Sequence, residues 1–192
     1  SDEKFIYRSE FIKDFLNSIP KKSKIISTTG YTSRELMEVR KKIKSTNGKD
    51  FYMVGGMGHS SSVALGYALH SKKKVFCLDG DGSILMHLGA LRTIGFLKNE
   101  NFKHILLNNN THESVGGQTT TAGGIDFKKL SKSIGYKNYF KIDDKNKIKL
   151  KIKKFIRTKG PSLLEVKINN GALENLSRPK NLIKIKERFI VN

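Results

Sequence analysis

The chain has 192 residues, 37% of them hydrophobic and 28% charged, with a net charge of +20 and a single cysteine. That is enough for one domain with a real core; it excludes an intramolecular disulfide and makes a reducing, cytoplasmic setting the expectation. No apolar run reaches the roughly 20 residues that span a bilayer, and the charged start, SDEKFIYRSE, does not read as a signal peptide.

From the N-terminus, residues 8–19 are predicted helical, stopped by Pro20. SKIISTTG (23–30) reads as a strand running into a turn, and 33–43 as a helix that Ser33 could cap. DFYMVGGMGHS leads into a helix over 60–70, and KKVFCLDG is a strand in which Cys77 is a buried small hydrophobe. Residues 83–98 are expected to form one helix, with Gly89 and Gly95 allowing close packing. FKHILLNN is the next strand, 111–125 a loop rich in Gly and Thr, 126–134 a helix, and 139–142 a short strand. Ile148, Ile152, Phe155 and Ile156 fall at i, i+4, i+7 and i+8, which predicts an amphipathic helix within the lysine-rich stretch 141–159. PSLLEVKI (161–168) is the last strand, and the tail reads as extended, then briefly helical. Such alternation predicts a three-layer α/β/α sandwich around a mainly parallel, doubly wound sheet, with residues 1–192 forming one domain.

The positive charge admits a nucleic-acid-binding module. Against this, the lysines are spread over the whole chain, and the densest run fits the solvated face of a helix. A second use for the charge is attraction of an anionic cofactor and substrate.

Three glycine-bearing loops, STTGYTS, VGGMGHS and GDGS, follow strand-like segments, and so does NNNTHESVGGQ. In a doubly wound sheet all four gather at one edge, where ligands bind. Thr29 and Gly30, Gly55 and Gly56, and Gly80 and Gly82 therefore become candidates for cofactor contact. Gly80 and Gly82 permit a tight turn and close backbone approach, and the helix start at Ser83 favours phosphate. Asp81 reads either as an N-cap or as a ligand to a metal that neutralises the phosphate. Residues 83 to 107, 25 positions, separate this turn from the pair Asn108–Asn109. That is one helix plus one strand, so Asp81 and Asn109 come to the carboxyl ends of neighbouring strands as two hard oxygen ligands suited to magnesium. VGGMGHSS fails as a dinucleotide fingerprint: its third position is Ser61, and no well-placed acid lies about 20 residues on.

With TTGYTSREL, VGGMGHSSSVALGYAL, LDGDGSILMHLGALRTIG, LNNNTHESVGGQ and the tail motifs LSRP and KERF, the chain resembles the diphosphate-binding domain of thiamine diphosphate enzymes over nearly its whole length. The HESVGGQ loop and SRP tail resemble the phosphonopyruvate decarboxylase branch, with sulfopyruvate decarboxylase subunits as the alternative. The resemblance implies Mg2+ held by Asp81, Asn109 and the main-chain carbonyl of Thr111, and a diphosphate touched by Gly82 and Ser83. It further implies that Met57 bends the cofactor and that Gly55 offers it a carbonyl. His112, His59, Ser114 and Gln118 are the expected catalytic or substrate contacts, and Arg34 reads as a surface ion pair or a cation drawing in substrate. Asn110 stands where glycine is common, and Asn tolerates left-handed geometry. The glutamate that protonates the cofactor pyrimidine belongs to another domain of the family. The expected partners are thus a pyrimidine-binding domain or subunit, in a homo- or hetero-oligomer, and a small anionic 2-keto acid. A non-catalytic domain that keeps the fold is a further alternative.

Overall fold

Strands buried on both faces need apolar side chains at successive positions, and four segments of this chain supply them. The computed structural model describes residues 5–20, 23–44 and 49–191. In chain order the elements are α1 (Arg8–Ser18), β1 (Lys24–Ser27), α2 (Tyr31–Lys42), β2 (Lys49–Tyr52), α3 (Ser60–Leu69), β3 (Val75–Gly80), α4 (Asp81–Met86) and α5 (Ala90–Leu97). There follow β4 (Phe102–Asn108), β5 (Thr111–His112), β6 (Gln118–Thr119), α6 (Phe127–Ile134), β7 (Asn138–Ile142), α7 (Ile148–Arg157), β8 (Ser162–Lys167) and α8 (Leu182–Ile190).

Six strands form one sheet in the order β2-β1-β3-β4-β8-β7, and every pairing in it is parallel. β5 and β6 make a separate two-residue antiparallel ribbon. Alternate residues along the central strands feed two cores. Ile25, Phe76, Leu78, Ile105, Leu107 and Leu164 meet α1, α2 and α7 on one face. Ile26, Val75, Cys77, Leu106 and Leu163 meet α3, α5, α6 and α8 on the other. This is the expected three-layer sandwich. No helix among the described residues is long and apolar enough to cross a membrane.

Two buried lysines support helix ends from beneath. Lys103 on β4 reaches the Phe155 carbonyl at the end of α7 at 3.0 Å, and Lys24 on β1 bonds the Phe189 carbonyl of α8. Both place a cation at the negative end of a helix. In α7, Ile148, Ile152 and Phe155 are buried while Lys149, Lys153 and Lys154 face solvent. Gly95 proves indispensable to packing: an added Cβ would stand 1.9 Å from the Ile134 carbonyl oxygen.

Three expectations fail. Ser33 does not cap α2, which starts at Tyr31 after Gly30. Its hydroxyl lies inside the helix, is buried, and donates to the Thr28 carbonyl at 2.7 Å. Residues 83–98 are not one helix but α4 and α5, parted by a turn over 87–89. The Gly58 loop packs there: a Cβ on Gly58 would lie 3.1 to 3.3 Å from His87, Met86 and Ser83, and α4 ends where that loop presses on it. Gly89, by contrast, has open space where its Cβ would be.

Candidate functional site

From β1 the chain steps outward to β2, then returns to the other side of β1 for β3. The connections leaving β1 and β3 diverge to opposite faces, so a crevice opens at their carboxyl ends. An open cleft occupies that point, lined in part by Thr28, Thr29, Met57, Asp81, Asn109 and His112.

One hydroxyl joins three of the converging loops. Ser83 Oγ accepts from Thr28 Oγ1 at 2.9 Å and from the Gly58 amide at 3.1 Å. The fourth loop closes over two glycines. A Cβ on Gly82 would lie 2.4 Å from Cε1 of His112, and one on Gly30 would lie 2.8 Å from Ser114 Oγ. Gly30 also holds φ at +90°, a conformation only glycine adopts without strain.

Asp81 is buried at the start of α4. Its Oδ2 accepts from Thr120 Oγ1 at 2.5 Å. Burial raises its pKa, while the Thr120 hydroxyl and the Asn109 amide beside it pull the other way. Register explains the proximity, since Gly80 pairs with Leu107 across β3 and β4 and both chains then turn into the crevice. Asn109 Oδ1 accepts the Thr111 amide at 3.2 Å. Asn110 takes the left-handed φ of +57° that lets the loop turn.

Behind these residues lies an ionic network. Arg8, 5% exposed, bonds Glu35 at 3.2 Å and also Glu113. Glu35 is buried, which raises its pKa, with Arg8 opposing. Glu113 accepts from Asn109 Nδ2 at 3.3 Å and from the Gly171 amide. Among the described residues lining the cleft, the cations are Arg8 and, when protonated, His112. Because Arg8 is paired twice, the net charge of +20 does not translate into a cationic cleft.

Thr29, Met57, Gly80, Asp81, Gly82, Ser83, Asn109, Thr111, His112 and Ser114 all line the cleft. Gly55 and Gly56 form an exposed left-handed turn just outside that lining, and the Gly55 amide donates to Thr29 Oγ1 at 3.2 Å. Gly30 likewise stands behind the lining. His59 is not in the cleft: it is exposed, and its ring lies 4.8 Å from that of His87. Gln118 is also outside, exposed on β6 with its amide folded against Gly116. Both were expected to contact substrate. The turn after Met57 and the β5–β6 ribbon carry both outside this cleft. Arg34 rests over the Tyr31 ring, 5.5 Å from its centroid, and does not line the cleft. His104 is fully buried between Asp79 at 3.2 Å and the Tyr136 hydroxyl at 2.8 Å.

Sequence reasoning missed Arg8 and Glu35, and it gave Glu113 no role of its own. Arg8 heads the apolar stripe Phe11, Ile12, Phe15 and Leu16, and Glu35 sits four residues before Val39 on a buried face. A charge at an apolar helical position was the signal available.

The donor set suits a hard divalent ion. Asp81, Asn109 and Thr111 line the same cleft, and one carboxylate, one carboxamide and one main-chain carbonyl would leave further positions on such an ion to phosphate oxygens and water. At Gly80, nothing lies within 4 Å of an added Cβ, so the turn's backbone is open to approach. Phosphate would be met by open backbone more than by a helix dipole, because α4 has six residues.

Fold and site together define a class: doubly wound α/β/α domains that gather acid, amide and glycine turns at the switch point of a parallel sheet. Residues 28–166 match the family described as thiamine pyrophosphate enzyme, C-terminal TPP binding domain, and the chain belongs to it. It is 36% identical over 169 residues to phosphonopyruvate decarboxylase of Streptomyces viridochromogenes, covering 88% of this chain and 41% of that protein. It is 34% identical over 166 residues to sulfopyruvate decarboxylase subunit beta of Methanothermobacter thermautotrophicus, covering 86% of this chain and 84% of that subunit. Among solved structures, a Mycobacterium smegmatis protein described as a thiamin diphosphate-dependent enzyme shares the fold. Its TM-score is 0.69 at 18% identity, with 86% of this chain and 32% of that one covered. The chain thus spans about two fifths of the length of the streptomycete relatives it matches.

Proposed function

We propose that this chain is the diphosphate- and metal-binding half of a thiamine diphosphate-dependent 2-keto acid decarboxylase. The proposed reaction converts 3-phosphonopyruvate and a proton to phosphonoacetaldehyde and carbon dioxide. The observation that carries it is the buried Asp81 carboxylate against Asn109 at the switch-point crevice, in a chain of this family. When bound, thiamine diphosphate supplies the electron sink that lets a 2-keto acid lose carbon dioxide.

The chain's own residues would bind and orient. Asp81, Asn109 and the Thr111 carbonyl would hold Mg2+, whose charge offsets that of the diphosphate. Gly80 leaves the backbone open to phosphate oxygens. Met57 offers an adaptable apolar surface to the cofactor's rings. His112, resting on Gly82 at the cleft wall, puts an imidazole where it would touch cofactor or substrate. Ser114 stands beside it on the same loop. The pyrimidine would be gripped by a second domain or subunit, so the working enzyme is an assembly of both halves.

A second reading, sulfopyruvate decarboxylation, is favoured by coverage, since the chain spans 84% of a methanogen β subunit named for that activity. Turnover of 3-phosphonopyruvate and of sulfopyruvate by the complete enzyme, compared as kcat/KM, decides between the two. Asp81→Ala is expected to abolish Mg2+-dependent turnover of either substrate. Full activity in that variant would overturn the metal assignment, and no turnover of either acid by the assembled wild type would overturn the proposed reaction.

A further inference from the structure

We propose that Glu113 is a positioning residue that decides which end of the Asn109 carboxamide faces the cation. The inference rests on the reading of Asn109 as a metal ligand. The two ends of a carboxamide are nearly the same size, but only its oxygen can ligate a hard cation. Asn109 Nδ2 donates to Glu113 Oε2 at 3.3 Å, and Oδ1 accepts the Thr111 amide at 3.2 Å. Rotating the group by half a turn would set oxygen against a carboxylate oxygen and NH2 against an N–H. An acceptor-only group at 113 therefore forbids the wrong orientation. Outer partners of this kind orient the first ligands of metal sites in general.

Glu113 is itself held without freedom. Oε2 also accepts from Arg8, and Oε1 accepts the Gly171 amide. Arg8 is braced by Glu35, which accepts the Leu173 amide at 2.8 Å. Arg8 also offsets the Glu113 charge, so that the carboxylate acts on the amide rather than competing as a ligand. Glutamine could not replace it, because its NH2 would face either Gly171 or the donors of Arg8 and Asn109.

The neighbouring asparagine provides a built-in control. Asn108 Nδ2 donates to Glu165 Oε1 at 2.9 Å, and its Oδ1 accepts the Asn110 amide at 3.3 Å. Glu165 is held in turn by the Tyr139 hydroxyl at 2.5 Å. Both asparagines of the pair thus carry a carboxylate clamp, and the one at Glu113 bears on the ligand.

The test is titration of the complete enzyme with Mg2+ at saturating thiamine diphosphate, with melting curves taken without metal. Asn109→Ala should lose cation binding; binding like wild type would overturn the site itself. Glu113→Gln should weaken Mg2+ about 10- to 100-fold. Glu113→Ala, which lets water satisfy the freed donors, is the second variant and should shift affinity in the same direction. Glu165→Gln should lower the melting temperature with Mg2+ affinity near wild type. In an Asn109→Asp background, where both ends of the side chain are oxygens, Glu113→Gln should cost little. Wild-type affinity in both Glu113 variants, with Asn109→Ala inactive in binding, overturns the positioning role alone. An equal loss in Glu165→Gln would also overturn it, by showing general damage to the loop.

Discussion

Gly82→Ala separates the folding role of the Gly-Asp-Gly turn from its binding role. The added Cβ would lie 2.4 Å from Cε1, 2.6 Å from Nδ1 and 3.4 Å from Nε2 of His112. Comfortable carbon contacts lie near 3.5–4.0 Å, so the ring must retreat by about an ångström or more. Overpacking of this kind costs about 1–3 kcal/mol. Alanine in a helix regains about 1 kcal/mol over glycine, and Gly82 belongs to α4 with no left-handed φ to lose. The imidazole is half-buried on a loop and can move. Net destabilisation should therefore stay below about 2 kcal/mol, visible as a small shift in Tm. Affinity for thiamine diphosphate, measured by calorimetry on the complete enzyme with excess Mg2+, should fall about tenfold or more, since each 1.4 kcal/mol is a factor of ten. In a His112→Ala background the obstruction is gone, and the same substitution should cost far less, a coupling of about 0.5–3 kcal/mol. Equal losses in the two backgrounds would refute the reasoning, because the methyl group would then be obstructing something other than the ring.

Three further outcomes can be checked. Met57→Ala, in the cleft lining, is expected to lower kcat and slow hydrogen exchange at the cofactor's C2 carbon, with a smaller change in cofactor affinity; unaltered exchange would count against its role. Gly95→Ala forces a methyl group onto the Ile134 backbone oxygen, which cannot swing aside, and should cost about 1–3 kcal/mol in denaturant unfolding; an unchanged midpoint would refute the contact. Lys103 is held down to about 8 from its ordinary 10.5, chiefly by burial. The folded chain then carries fewer protons than the unfolded one between those values, so stability should rise with pH across that window, and Lys103→Met should flatten the rise in urea midpoints measured at pH 8 and pH 10.

The layered fold was legible because its signals are local. Ile25 and Ile26 already divide the two cores by alternation, and the spacing from Asp81 to Asn109 matches one crossover. The break between α4 and α5 was not legible, because Ser83 to Lys98 carries a continuous helical pattern. At that break the Gly58 loop, brought from another part of the chain, packs against Ser83, Met86 and His87. The same holds for Arg8, whose partners lie 27 and 105 positions away. Periodicity shows that a charge falls on an apolar face, but it does not name the group that compensates it. The place of His59 was not legible for the opposite reason. It follows Met57 closely in sequence, yet the turn between them sends its side chain out of the cleft.

The contact between Glu113 and the Gly171 amide sets an order of events during synthesis. Chains emerge from the ribosome N-terminus first, at about 5–20 residues per second. Arg8, Asp81 and Asn109 are all made well before the stretch that steadies Glu113 and Glu35 from behind. A nascent chain halted before residue 171 could assemble most of its sheet and still lack the final brace on its carboxylates, so the proposed capture of a divalent ion would be among the last properties a growing polypeptide acquires.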